Sequence, residues 1–257
     1  SPSRGRQRAH GGSSLFWTVS HRPWGVISRF MGKGKLWKWN ENAEFSHVFE
    51  PDLQSIVDGA TLNKGVWAEK VFGNDHPVVL ELGCGKGEYT VGLARRHPEV
   101  NFIGVDIKGH RFWRGAKTSE QEGLNNVAFL RTRIEFVQNF FAPNEVSEVW
   151  LTFSDPQPKD EKGTKRITSE LYLERYRSFM VSGGFIHVKS DSPLLYALSK
   201  AGWEKAGFPI LEDSQDVYAD LVHRVDSDFA DVLNIRTYYE QRWLEEGRKI
   251  HYLRTQA

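Results

Sequence analysis

The stretch Val78-Val-Leu-Glu-Leu-Gly-Cys-Gly-Lys-Gly-Glu88 decides how this chain of 257 residues folds. Four apolar residues and one acid run directly into glycines at alternate positions, 83, 85 and 87. An apolar run followed by a glycine-rich turn and a helical pattern predicts a strand, a loop and a helix. Glycine allows positive φ angles and lets the backbone approach a ligand closely. We therefore expect a ligand at Gly83, Gly85 and Gly87, and the alternative is a glycine loop that serves only as a turn.

A second acidic residue, at the end of the next predicted strand, indicates which kind of ligand the glycine loop could bind. The run Asn101-Phe-Ile-Gly-Val ends in Asp106, and an acid at the end of the second strand of a nucleotide-binding α/β fold accepts hydrogen bonds from ribose hydroxyls. The spacing G-x-G-x-G differs from the dinucleotide fingerprint G-x-G-x-x-G, and Lys86 is followed by Gly87 rather than by Ser or Thr. The sequence therefore shows no phosphate cradle, and a nicotinamide dehydrogenase is disfavoured.

The composition is that of a globular protein with 39% hydrophobic and 26% charged residues. The length suffices for one α/β domain with a substantial core. No apolar run approaches the roughly 20 residues that cross a bilayer, so we expect no membrane span. The single cysteine, Cys84, excludes an internal disulfide and a cysteine-based zinc cluster. We expect no metal and no nucleophilic role for Cys84.

Charge is unevenly placed along the chain. The first 40 residues contain eight basic residues and no acid, which leaves −7 for residues 41–257 of a chain whose total is +1. A basic arm on an acidic body indicates a polyanionic partner.

The chain divides into three predicted parts. Residues 1–30 are rich in Ser, Arg and Gly, and Met31-Gly-Lys-Gly-Lys resembles the natural N-terminus of a protein. We interpret 1–30 as a leader or disordered segment, with an organellar transit peptide as the alternative. Residues 31–76 are predicted to form a basic-aromatic arm, whose lysines and tryptophans either contact RNA or dock on the core. Residues 77–257 are predicted to form the main domain.

Strand and helix patterns alternate from residue 78 onward. Strands are predicted at 78–82, 101–105, 127–131, 148–153 and 184–189, and helices at 88–97, 110–122, 168–180 and 193–206. This order favours βαβ units and a parallel sheet, with the final run Lys249–Arg254 as an edge strand. Ligands bind beyond the carboxyl ends of such strands, which places the glycine loop, Asp106, Arg133 and Asp155 around one crevice. His187, in mid-strand, is predicted to be a packed core histidine.

Four separated segments resemble bacterial tRNA (guanine-N(7)-)-methyltransferases, the TrmB family of class I S-adenosylmethionine-dependent methyltransferases. They are Leu80-Glu-Leu-Gly-Cys-Gly-Lys-Gly87, Phe153-Ser-Asp-Pro-Gln-Pro-Lys159, Ile186-His-Val-Lys-Ser-Asp191 and Thr237-Tyr-Tyr-Glu240. The resemblance covers roughly residues 31–253. It implies a Rossmann-like α/β fold with a mostly parallel seven-stranded sheet, helices on both faces and an antiparallel edge strand. It also implies methyl transfer from S-adenosylmethionine to the 7-nitrogen of guanosine 46 in the tRNA variable loop, by a cytoplasmic monomer or homodimer.

The resemblance assigns roles to individual residues. It places the catalytic acid at Asp155. It implies cofactor binding by Glu81, Gly83, Gly85, Gly87, Asp106, Arg133, Ile134 and Asp155, and substrate binding by Lys159, Asp191, Thr237 and Glu240. The guanine 7-nitrogen carries a free lone pair and no proton, so we expect catalysis by in-line positioning without a general base. Carboxylates would accept hydrogen bonds from the guanine N–H groups and stabilise the positive charge of the ring.

The chain departs from the family pattern at several positions. Gln157 stands where the family usually has Trp, Asp160 and Glu161 replace two basic residues, and Arg133 stands where an aspartate is usual. We expect weaker RNA affinity, or more reliance on the N-terminal arm. One rival hypothesis is a class I methyltransferase with a small-molecule or protein acceptor, and another is a non-catalytic RNA-binding subunit. The intact Glu81, glycine loop and second acid argue against the latter.

Overall fold

The computed structural model describes residues 33–57 and 62–257. The predictions for residues 1–30 lie outside the described residues. The described strands are β1 (Val48–Phe49), β2 (Val78–Leu82), β3 (Asn101–Asp106), β4 (Val127–Arg131), β5 (Val146–Thr152), β6 (Met180–Ser190), β7 (Glu212–Ser214) and β8 (His251–Gln256). The described α-helices are α1 (Lys33–Asn42), α2 (Leu53–Val57), α3 (Glu88–Arg96), α4 (Gly109–Gln121), α5 (Glu170–Arg177), α6 (Pro193–Ala206), α7 (Ser227–Leu233) and α8 (Tyr238–Glu245).

The described strands form one sheet in the order β1-β4-β3-β2-β5-β6-β8-β7. The first six pair in parallel, and β8 runs antiparallel to both of its neighbours. The predicted Rossmann-like α/β class is confirmed. The described sheet has eight strands rather than seven, and β8 is not at its edge because β7 pairs with its outer side. The two outermost strands, of two and three residues, are too short to leave a hydrophobic pattern.

Strand β2 lies at the centre of the fold, and all five of its residues are buried. Leu80 and Leu82 face a core that includes residues of α5 and α6. Val79 faces the opposite core, with residues of α3 and α4. Cover on both faces explains the continuous apolar run in the sequence. The chain passes from β2 outward to β4 and then crosses back to β5 on the other side of β2, and such a switch point opens a crevice at the carboxyl ends of the strands.

The N-terminal basic-aromatic segment forms α1, which docks on α4. The ring of Trp37 lies 4.7 Å from that of Trp113 in an edge-on arrangement. Glu41 accepts a 2.7 Å hydrogen bond from the Trp113 indole and pairs with Lys117. Of the two sequence interpretations, docking therefore describes these aromatics, although Trp37 remains 48% exposed.

The prediction that His187 is a core histidine is confirmed. The side chain is buried and its ring stacks on Trp150 with centroids 3.9 Å apart. One ring nitrogen lies 2.6 Å from the Tyr252 hydroxyl and the other 2.8 Å from a Glu148 oxygen. No helix in the described parts of the chain has the length and apolar character needed to cross a membrane.

Candidate active site

A cleft of about 460 Å³ opens beyond the carboxyl ends of β2 and β5. One wall is the glycine loop that connects β2 to α3, and the other is formed by the beginning of α8 and by Trp243. Phe153, directly after β5, completes the lining together with Thr152. The structure therefore brings the predicted cofactor loop and the terminal Thr237-x-x-Glu240 segment to one site.

The three glycines of the loop all have positive φ, but their surroundings differ. A Cβ at Gly85 would meet no atom within 4 Å, so the loop presents open space to the cleft there. A Cβ at Gly87 would lie 2.7 Å from the ring of Phe129 and 3.3 Å from Gly115. Gly87 is therefore required for packing of the loop against the sheet, and Gly85 is the position where a ligand has room to approach the backbone.

Glu81 lines the cleft from beneath and is 2% exposed. Its carboxylate accepts hydrogen bonds from the Thr90 amide at 3.1 Å, the Thr90 hydroxyl at 2.6 Å and the Thr152 hydroxyl. Burial raises the pKa of Glu81 to about 7, and the hydrogen bonds from Thr152 and Thr90 oppose that rise. Burial, with Asp106 and Glu81 nearby, also raises the pKa of the Cys84 thiol, which disfavours the thiolate form that a nucleophile needs.

Asp106 fixes the shape of the glycine loop. One carboxylate oxygen accepts a 3.0 Å hydrogen bond from the Gly85 amide, and the other accepts a 2.8 Å hydrogen bond from the Lys108 amide. The side chain is 8% exposed and is not among the residues that line the cleft. The expected contact of Asp106 with a ribose stays a prediction. Each carboxylate oxygen retains a second lone pair that could accept a hydrogen bond from a ribose hydroxyl.

The segment after β5 has an unusual backbone. Phe153 has φ of +55°, a region that bulky residues rarely adopt, and Gln157 has φ of +48°. Phe153 is held there by a 2.8 Å hydrogen bond from its amide to the Lys189 carbonyl and by Trp243, whose ring centroid lies 5.1 Å away. Asp155, two residues on, is exposed, and its carboxylate accepts a 2.8 Å hydrogen bond from the Gln157 amide.

Asp160 organises the charged loop that follows. Its carboxylate accepts backbone hydrogen bonds from Thr164 at 3.0 Å, Lys165 at 2.6 Å and Arg166 at 2.9 Å. Slight burial works in the other direction, but these bonds lower the pKa of Asp160 to about 2. Asp160 therefore stabilises the fold of this loop, and the loop amides satisfy its negative charge.

Helix α8 begins with a reciprocal capping pair. Thr237 Oγ1 accepts a 3.2 Å hydrogen bond from the Glu240 amide, and the Glu240 carboxylate accepts a 3.3 Å hydrogen bond from the Thr237 amide. Thr237 lines the cleft, whereas Glu240 is fully buried. The family motif at these two positions is thus also a helix-capping box.

Glu240 pairs with a buried lysine at the end of β6. The Lys189 ammonium lies 2.8 Å from a Glu240 oxygen, and both side chains are 0% exposed. Lys189 also donates hydrogen bonds to the carbonyls of Leu233 at 2.8 Å and Ile235 at 3.0 Å, and Tyr218 donates to Glu240. Burial lowers the pKa of Lys189, and Glu240 opposes that shift. Direct substrate contact by Glu240 stays a prediction.

Asp155 and the remaining predicted site residues also lie outside the lining of the cleft. Arg133 is 59% exposed and pairs with Glu135 at 3.3 Å, and Ile134 packs against the core. Lys159 is exposed on the loop after Asp155. Asp191 accepts a 3.0 Å hydrogen bond from Arg248.

Sequence reasoning missed several residues of the site. Lys86 and Arg111 bring positive charge to the cleft, and Trp243 brings an aromatic wall. Lys189 had a recognisable signal, because a lysine inside the apolar run of a central strand requires a buried partner. The wall formed by Trp243 left no such signal, since it depends on how α8 folds back over the sheet.

The fold, together with a matching family model, places this chain among the methyltransferases. Solved structures share the fold: one titled as a 16S rRNA methyltransferase matches with a TM-score of 0.55 and 14% identity over 75% of this chain and 93% of that chain. A 16S rRNA (adenine(1408)-N(1))-methyltransferase with cosubstrate SAM, from Catenulisporales acidiphilia, matches with a TM-score of 0.52 and 16% identity over 80% of this chain and 92% of that chain. A family model described as "Putative methyltransferase" matches residues 75–253.

Curated relatives identify the family more narrowly. A tRNA (guanine-N(7)-)-methyltransferase of Bacteroides fragilis is 51% identical over 225 residues, which cover 87% of this chain and 86% of the relative. Enzymes with the same name from Porphyromonas gingivalis and Christiangramia forsetii are 52% and 46% identical, over 81% and 86% of this chain and 84% and 97% of their own lengths. The chain belongs to the tRNA (guanine-N(7)-)-methyltransferase family.

Proposed function

We propose that this protein transfers a methyl group from S-adenosylmethionine to the 7-nitrogen of guanosine 46 in the variable loop of tRNA. The observation that carries the proposal is the site itself: an intact glycine loop faces the Thr237-x-x-Glu240 helix across one cleft. Relatives up to 52% identical are tRNA (guanine-N(7)-)-methyltransferases, which supports the same reaction here.

The lining of the cleft fits such a cofactor. The open side of Gly85 leaves room beside the backbone. The cations Lys86 and Arg111 suit a carboxylate, the acids Glu81 and Glu88 suit an ammonium or sulfonium, and Thr152, Phe153 and Trp243 add hydroxyl and aromatic surface. Bound S-adenosylmethionine would supply an electrophilic methyl group on sulfur.

The residues of this chain act by positioning and by charge. Glu81 lies under the cleft with its orientation fixed by Thr90 and Thr152. Phe153, held in its strained conformation by Lys189, directs the following segment so that Asp155 stands at the end of β5 in solvent. From there the Asp155 carboxylate would accept hydrogen bonds from guanine N–H groups. It would select guanine against adenine and stabilise the positive charge that the ring gains.

The target guanosine must leave its tertiary stack to reach this cleft, which costs about a few kcal/mol. Phosphate contacts would offset that cost. Lys159 is exposed beside the Asp155 segment and suits this role. Asp191 and Thr237 are proposed to contact the nucleotide.

The test is methyl transfer from labelled S-adenosylmethionine to an unmodified tRNA transcript with a variable-loop guanosine. The control transcript carries adenosine at that position. We expect label on the first transcript and none on the second. Equal labelling of both, or labelling of neither while the cofactor binds in calorimetry, would contradict the proposal and favour another acceptor. On this proposal the protein acts where tRNA is modified, in the cytoplasm.

A further inference from the structure

A second groove, of about 680 Å³, lies between α3 and α4 and joins the cleft. Lys86, Glu88 and Arg111 line both. Its floor includes Trp113, and its ends are formed by α1 and by the segment that leads into α8. A ligand that fills the cleft and extends beyond it would therefore enter this groove.

The groove is strongly basic although the chain after residue 40 is acidic overall. Seven lining residues are basic and one is acidic, the basic ones being Lys38, Lys86, Arg95, Arg96, Arg111, Arg114 and Arg236. The single acid, Glu88, accepts a 2.8 Å hydrogen bond from the Tyr238 amide. Concentrated positive charge in a concave surface attracts a polyanion.

Several of these cations have no acidic partner among residues 33–57 and 62–257. Arg95 is paired with Glu122, through a 2.6 Å bond from Nε. Arg96, Arg111 and Arg114, in contrast, make no ion pair with any carboxylate in the described parts of the chain, and all three are exposed.

The positive charge of the groove affects the pKa of a neighbouring histidine. Burial lowers the pKa of His110, and the nearby cations Lys35, Arg111, Lys108 and Lys38 lower it further. Arginines that share one groove and have no ion pair within the described parts of the chain repel one another, and an anionic ligand would relieve that repulsion.

We propose that this groove binds the sugar-phosphate backbone of the tRNA that flanks the target guanosine, an inference that rests on the proposed function. Arginines on α3 and α4 contact phosphates, while the flanking nucleotide at the cleft lies against Tyr238, which is 53% exposed. RNA affinity in this chain therefore depends on the face formed by α1, α3 and α4, in addition to Lys159. This explains how the chain keeps an RNA surface although Gln157, Asp160 and Glu161 replace family residues.

The test compares two charge-neutralised variants of equal net charge. The groove variant is Arg96→Gln with Arg114→Gln. The control is Lys70→Gln with Lys205→Gln, two exposed lysines in elements that pack on the opposite face of the sheet. Dissociation constants for an unmodified tRNA transcript are measured over a range of KCl concentrations, together with cofactor affinity by calorimetry and the thermal midpoint.

We expect the groove variant to reduce the slope of log affinity against log salt by about 1.5, since each lost phosphate contact removes about 0.7–0.9. The control variant should keep the wild-type slope, and cofactor affinity should be unchanged in both. An unchanged slope in the groove variant, or an equal reduction in both variants, would overturn the proposal.

Failure of the proposed function gives a different result. A wild-type protein that binds tRNA through the groove and transfers no methyl group to it would support this inference and contradict the proposed reaction. A wild-type protein that methylates tRNA while the groove variant binds it normally would do the reverse. A wild-type protein without measurable tRNA affinity would overturn both.

Discussion

Replacing Lys189 by Met should be among the most destabilising single changes near the cleft. The change deletes an ammonium that is 2.8 Å from Glu240, with both side chains at 0% exposure. It leaves an unpaired carboxylate in the core, and removing one partner of a buried ion pair costs about 3–5 kcal/mol. It also removes hydrogen bonds to the carbonyls of Leu233 and Ile235. The free energy of unfolding, from guanidinium titration, measures the effect.

A second change isolates the charge. In Lys189→Met with Glu240→Gln the buried charge is gone, but one amide oxygen replaces the two carboxylate oxygens that accept from Tyr218 and from the Thr237 amide. The two carbonyls lack a donor in both variants and cancel in the comparison, whereas the lost acceptor costs about 1 kcal/mol. The double variant should thus recover about 2–4 kcal/mol relative to Lys189→Met alone. As a control, Arg248→Met breaks an ion pair to Asp191 whose arginine is 51% exposed, and should cost at most about 1 kcal/mol. A double variant no more stable than Lys189→Met would refute this account.

Three further predictions concern the cleft. Because the folded pKa of Glu81 is about 7 against 4.5 for the free side chain, its contribution to stability is complete below pH 4.5 and is lost as pH rises to 7. That loss amounts to roughly 3 kcal/mol, and in urea titrations Glu81→Gln should flatten this pH dependence. Both alanine substitutions are strained by the positive φ, by about 1–2 kcal/mol each, but only Gly87→Ala also meets Phe129 and should be destabilised by about 1–3 kcal/mol more. Gly85→Ala should in addition weaken cofactor affinity in calorimetry, and equal unfolding midpoints for both would contradict this reasoning. Asp155→Ala should abolish methyl transfer. Because the side chain is exposed, the thermal midpoint of the variant should stay within about 2 °C of wild type. Wild-type turnover by this variant would contradict the catalytic role of Asp155.

The central part of the fold was predictable because its residues are constrained on both faces. The boundaries of β2 and β4 and of α6 agree with the prediction to the residue. Buried parallel strands read as apolar runs, and the Ser192 cap with Pro193 marks the start of α6. In contrast, β1 and β7 are extended only because each pairs with a neighbouring strand, so their own sequences did not predict them. Helix α1 has no regular apolar face and is held by contacts such as that of Glu41 with Trp113.

The position of the glycine loop at the cleft could be predicted from local sequence, whereas positions that depend on tertiary contacts could not. The glycine loop was recognisable since spacing alone fixes its backbone. From the sequence, Asp160 was expected to act as a negative surface charge that weakens RNA affinity. Its hydrogen bonds to the amides of the next turn show that it shapes the loop. Glu240 was assigned from the family motif, and the sequence did not reveal that Lys189, far away in the chain, buries and pairs it.

The position of β8 has a consequence for the order in which the molecule assembles. Within the part of the chain that the structure describes, residues 212–214 pair in the sheet with β8 alone, and β8 itself pairs with β6 across more than sixty residues of chain. Strand β7 therefore cannot join the sheet until residues 251–256 are in place. Tyr252 and Leu253 belong to the two opposite cores, so the same step closes both faces. Pairing across such a separation is entropically slow, and completing this side of the sheet should be a late event in folding, after the β2–β5 centre has formed.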